Sequence, residues 1–121
     1  MANTVTERSS ARYTATLLDE GGDAVALVVM TSLKLWLRDV ATEEYINGRE
    51  AQDVLNANNM TFHATSGLLT WLVQPADNAI LSGDSDIETE THEAIFEAKW
   101  SSTKQKTWKV TITVTNMFSL V

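Results

Sequence analysis

The feature that most constrains this chain is a hydrophobic period of two. Tyr13, Ala15 and Leu17 alternate with Arg12, Thr14 and Thr16, and Leu33, Leu35 and Leu37 alternate with Lys34, Trp36 and Arg38. The pattern returns at Met60, Phe62 and Ala64, at Leu69, Trp71 and Val73, at Ala94, Phe96, Ala98 and Trp100, and at Trp108, Val110, Ile112 and Val114. Successive side chains of a strand point to opposite faces, so each run has one apolar face and one mostly polar face. A helix would bring residues three and four apart together and mix the two sets.

The punctuation agrees with strands. Gly21-Gly22-Asp23 breaks the chain after the first run. Asn47-Gly48, two residues that accept positive φ, turns it after a strand near Glu44–Ile46. Thr65-Ser66-Gly67 reads as a tight hairpin, Pro75 ends a strand, and Ser82–Asp86 is a polar loop. Ser101–Lys106 joins the last two long strands. Two stretches suit short helical turns. Arg49–Asn56 places Ala51, Val54 and Leu55 on one side, and Pro75–Leu81 opens on a proline.

These signals predict an all-β fold: an immunoglobulin-like, two-sheet antiparallel β-sandwich of about seven strands with one or two short helical turns. A small closed barrel is the competing arrangement. "Immunoglobulin-like" means architecture here, because the paired cysteines around a core tryptophan are absent. The chain has 121 residues, enough for one self-sufficient core without metal or disulfide. Residues 1–10 are polar and lack alternation, so an N-terminal arm is expected. Residues 11–116 form the sandwich, and residues 117–121 an apolar C-terminal tail. The first residues show no basic stretch followed by an apolar one, and the longest apolar run, Ala24–Met30, is far shorter than a membrane span. A soluble chain made in the cytoplasm is expected.

Charge is unevenly spread. The net charge is −7, with −1 over residues 1–41, −10 over 42–98 and +4 over 99–121. Arg49 is the single basic residue of the middle segment. An acidic middle argues against nucleic acid, which demands a positive footprint. It leaves ordinary solubility, or assembly in which a basic C-terminal strand meets an acidic neighbour.

Catalytic chemistry finds little support. Without cysteine there is no thiolate nucleophile and no thiolate zinc site. His92 shares the inward parity of Ala94 and Phe96 and reads as a hydrogen-bonded structural histidine, while His63 faces out. No HExxH spacing occurs, so zinc is not expected. Asp84, Asp86, Glu88, Glu90 and Glu93 form an acidic run whose D-x-D-x-E start could ligate calcium. It lacks the full calcium-loop pattern and reads as a solvated loop leading into a strand. There is no G-x-S-x-G elbow and no glycine-rich phosphate loop. No catalytic, cofactor-binding or metal residue is assigned, and a non-enzymatic protein without a cofactor is expected.

The surface is more informative. Trp36 lies opposite Leu33, Leu35 and Leu37, between Lys34 and Arg38. Either the chain itself covers that face, or Trp36 anchors a partner, as aromatics flanked by arginine often do. Leu68, Leu72 and Ile95 also take outward positions. The tail, with Phe118 and Leu120, is apolar and needs a place to dock. Lys34, Trp36, Arg38, Phe118 and Leu120 are therefore the candidate interface residues.

The run Ser32-Leu33-Lys34-Leu35-Trp36-Leu37-Arg38-Asp39, followed by Tyr45-Ile46-Asn47-Gly48-Arg49, resembles small Ig-like structural proteins of tailed bacteriophages. Asp53-Val54-Leu55-Asn56-Ala57-Asn58-Asn59, Gly67-Leu68-Leu69-Thr70-Trp71 and His92-Glu93-Ala94-Ile95-Phe96-Glu97 fit the same pattern, which covers about residues 11–116. A similar β-sandwich module occurs in phage upper-baseplate proteins. The resemblance implies a virion structural protein, a capsid decoration or head-associated subunit. Its partners would be other virion proteins (capsid, neck or tail subunits) in a multi-copy symmetric assembly, without nucleic acid or membrane. Neck, head–tail and baseplate pieces use the same module, and fold does not choose among them. The reading from another class is a carbohydrate- or host-surface-binding module with Trp36 as a stacking platform.

Overall fold

The computed structural model describes residues 2–81 and 87–116, with backbone only at residues 2 and 3. Eight strands occur among these residues: β1 Ala2–Thr6, β2 Ala11–Thr16, β3 Met30–Asp39, β4 Gln52–Asp53, β5 Met60–Phe62, β6 Leu68–Val73, β7 Thr89–Trp100 and β8 Lys104–Thr115. They form two sheets, one of order β1-β8-β7-β3-β4 and one of order β2-β6-β5. The chain is all-β and sandwich-like, as the alternation predicts.

The inner faces are the apolar sets read from the sequence. Leu33, Leu35 and Leu37 of β3 and Ala94, Phe96 and Ala98 of β7 are fully buried. They share one core with Met60, Phe62, Leu69 and Trp71 of the second sheet. Aromatic rings stitch the sheets together. Phe96 stacks between Tyr13 of β2 and Trp108 of β8 at 5.7 and 5.1 Å, and Trp71 meets Phe96 edge-on at 5.8 Å. Each large apolar side chain so buried contributes about 1.5–3 kcal/mol, and aromatic pairs add to that.

Two expectations about strands change. Half of the expected N-terminal arm is strand β1, which pairs in parallel with β8 from Ala2↔Thr111 to Thr6↔Thr115. The sandwich is therefore not wholly antiparallel. The edge of β8 presents a row of backbone donors and acceptors that need partners, and β-branched Thr4, Val5 and Thr6 suit an extended pairing. Val5 packs on the core. The chain then crosses to the second sheet at Arg8, which has φ 58°. Asn78 fixes the crossing: its carbonyl accepts from Arg8 N at 3.1 Å, and its Nδ2 donates to Ser9 O at 2.6 Å.

The helical turns divide. Pro75–Asn78 is a 3₁₀ turn closed by a reciprocal Gln74–Asp77 capping box. Leu27–Val29 is a second, inside the long apolar run. Arg49–Asn56 is not helical. It holds the two-residue strand β4, and Asn47, Gly48, Ala51, Asn56, Asn58 and Asn59 all adopt positive φ nearby. Asparagine tolerates that region, and its side chain can bond locally. Asn56 Oδ1 accepts from Phe62 N at 2.7 Å, and Asn58 Nδ2 donates to Asp53 O at 2.7 Å. Thr65-Ser66-Gly67 makes the expected hairpin between β5 and β6.

Candidate functional site

Two places concentrate chemistry: the outward face of the five-stranded sheet, and a buried polar cluster at one end of it. The first is built by β3, β7 and β8. Cross-strand register puts Trp36 opposite Ile95, and Ile95 opposite Lys109. Lys34 faces Glu97 on one side and Asp53 of β4 on the other, and Arg38 faces Glu93. Arg38 Nε donates to Glu93 Oε1 at 3.1 Å, and Lys109 Nζ lies 3.6 Å from Glu93 Oε2. Trp36 and Ile95 thus form a small apolar strip framed by opposite charges. Trp36 is partly buried rather than open, since its neighbours screen part of the ring. Ion pairs near a protein surface add little to stability. Their effect is to give the face a fixed charge pattern.

Of the sequence-predicted interface residues, the structure brings Lys34, Trp36 and Arg38 onto this one face. Phe118 and Leu120 lie outside the described residues, as do Asp84 and Asp86 of the acidic run. Leu68 and Leu72 are exposed on the other sheet, 39% and 45% accessible, and do not join Trp36. Sequence reasoning missed Val28, which is 89% exposed in the 3₁₀ turn before β3. Among the described residues, no helix is long and apolar enough to cross a membrane.

The second place is the inward side of the β3–β7 ladder. Asp39 pairs with His92 across the strands, and Glu90 lies two residues along β7 on the same face. All three are buried, with exposures of 1%, 0% and 5%. His92 Nε2 lies 2.6 Å from Glu90 Oε1, the hydrogen bond expected of a structural histidine. The Glu90 carboxylate also accepts from Leu81 N at 2.9 Å. Asp39 Oδ2 accepts from Thr42 N at 3.1 Å and Thr42 Oγ1 at 2.7 Å. Asp39 Oδ1 and His92 Nδ1 are buried without a hydrogen-bond partner. A cleft of about 550 Å³ borders Asp39 and Glu90 but not His92; Thr42, Leu81 and Ile87 also line it. The signal for this cluster was present as parity. Asp39 continues the inward series 33, 35, 37, and Glu90 precedes the inward series 92, 94, 96. Only the register shows that the two series meet.

No protein-family model, curated protein or solved structure matches this chain in comparisons with known proteins.

Proposed function

We propose that this chain is a non-enzymatic structural subunit of a tailed-bacteriophage particle, an Ig-like capsid decoration or head-associated protein working through protein–protein contacts. The resemblance of residues 11–116 to such modules supports this reading. The observation that carries it is the Trp36–Ile95 strip on the outward face, framed by Lys34, Arg38, Glu93 and Lys109. An aromatic anchor inside a ring of charge has the composition of a contact surface: the ring excludes water and sets orientation, and the aromatic supplies affinity. Repeated contacts of this kind around a symmetric shell add up without any one being strong.

The test is made on particles. Purified virions of a phage carrying this gene should contain the chain at a fixed copy number by quantitative mass spectrometry. Trp36→Ala should weaken its retention about tenfold or more while the isolated domain keeps its strand signature by circular dichroism. Absence of the chain from purified virions sinks the proposal. Labelling at a tail or neck would move the assignment within the particle. Saturable glycan binding that is lost in Trp36→Ala would favour the host-surface reading instead.

A further inference from the structure

We propose that Asp39, Glu90 and His92 bind one divalent transition-metal cation of the zinc or manganese class. Each residue offers a donor atom, and these atoms lie within 4.8 Å of one another. One ion can therefore touch all three after small adjustments. The donor set is one imidazole nitrogen and two carboxylates, which suits borderline first-row cations better than calcium, whose ligands are oxygens.

Burial makes the cluster more than a group of acids. Asp39 is 1% exposed, and its Oδ1 has no donor to satisfy it, because Thr42 engages only Oδ2. His92 is 0% exposed, and its Nδ1 is likewise without a partner. Buried polar atoms are nearly always paired, and a bare carboxylate oxygen is among the costliest exceptions. A cation between the strands would give Asp39 Oδ1 the partner it lacks. It would take Asp39 Oδ1, a Glu90 oxygen and a ring-nitrogen lone pair of His92.

The surroundings are those of a metal centre. Thr42 holds one oxygen of the Asp39 carboxylate, and Leu81 N donates to the Glu90 carboxylate. Such outer contacts fix ligand direction. The cleft that Asp39, Thr42 and Glu90 help to line would be the approach for an ion and its remaining waters. The site joins the end of β3 to the start of β7, so a bound ion would clamp that end of the sheet.

The test uses the full chain stripped with EDTA. Isothermal titration with Zn²⁺ and with Mn²⁺ should show saturable binding of one ion, and the unfolding temperature should rise with metal concentration. In NMR spectra the His92 imidazole signals should move on adding Zn²⁺, while those of His63 should not. Asp39→Asn, which keeps the side chain's size, should lower affinity about tenfold or more, and His63→Gln should leave it unchanged. Failure of the wild-type chain to bind either ion at millimolar concentration overturns the proposal. So does Zn²⁺ binding that shifts His63 rather than His92, a readout that needs no variant to fold. Affinity that survives Asp39→Asn in a folded variant overturns it too.

Discussion

The Arg49 guanidinium closes a two-point fork on the Asp77 carboxylate in the core, Nε to Oδ1 at 2.6 Å and Nη2 to Oδ2 at 3.0 Å. Its remaining N–H groups donate to Gln52 Oε1 at 2.7 Å, Asn58 O at 3.2 Å and Asn59 Oδ1 at 3.2 Å. Asp77 also accepts from Asn47 Nδ2 at 2.9 Å and Gln74 N at 2.8 Å. Every guanidinium hydrogen is used, and both carboxylate oxygens accept twice. The guanidinium also sits over the Trp71 ring, 5.6 Å from its centroid. One buried pair therefore pins the loop around β4 to the turn after β6.

Breaking that pair from one side should be far worse than never having it. Arg49→Met leaves the Asp77 carboxylate buried without its cation, a loss of about 3–5 kcal/mol. Urea unfolding should show it as a large drop in midpoint. Arg49→Met with Asp77→Leu should be less destabilised than the sum of the two single changes. Additive losses would mean that the pair is not coupled.

Gly67 should not accept a side chain. It has φ +71°, and a Cβ there would lie 2.5 Å from the backbone oxygen of Leu17. That oxygen accepts from Val25 N at 3.0 Å, and Leu17 N donates back to Gly67 O at 2.8 Å, so neither backbone can move freely. Gly67→Ala should cost roughly 2–3 kcal/mol. Gly22 has φ +84° but open space around it, and Gly22→Ala should cost only about 1 kcal/mol. Thermal unfolding of the two variants checks the order.

Lys104 Nζ lies 2.6 Å from Glu20 Oε1 on the surface. The hydrogen bond from Lys104 holds the Glu20 carboxyl below its ordinary pKa, and the same bond holds Lys104 above its own. The Glu20 contribution is therefore present above the unfolded carboxylate range and fades as pH falls through the folded value. The Lys104 contribution is present below the unfolded lysine range and fades as pH rises through the folded value. Carbon-detected NMR titration should show the Glu20 midpoint rising in Lys104→Met, with the difference shrinking in high salt. An unchanged midpoint would mean that the contact is not made in solution.

Val28 is 89% exposed and should be replaceable in the free protein. Val28→Asp is expected to change stability by no more than about 0.5 kcal/mol. A larger loss, measured by urea unfolding of the dilute chain, would show that something covers this 3₁₀ turn.

Alternation made the strands legible because burial on one face writes the period directly into residue type. Leu33, Leu35, Leu37, Ala94 and Phe96 are the clearest cases, and the hairpin at Gly67 was equally plain. What stayed hidden depends on pairing between distant residues. β1 has little alternation of its own, and its partner lies at the other end of the described chain. The Arg49 region reads as amphipathic, but Ala51 takes positive φ and Arg49 bonds to Asp77, a residue far along the chain. Arg49 was still conspicuous as the one cation among the eleven acids of residues 42–98. On the candidate site, the outward placement of Lys34, Trp36 and Arg38 and the inward placement of His92 could be read from parity. The meeting of His92 with Asp39 could not, because register is a property of two strands.

The parallel pairing of β1 with β8 has a mechanical consequence. If residue 2 is pulled against residue 116, tension runs along the two strands in opposite senses. The five registered pairs from Ala2↔Thr111 to Thr6↔Thr115 then resist together, in shear, instead of peeling apart one by one. The bond from Glu7 N to Thr115 O at 2.8 Å extends that resisting row. Forced rupture is governed by the rate of opening, so a domain fastened in this way should withstand stretching better than its modest size suggests.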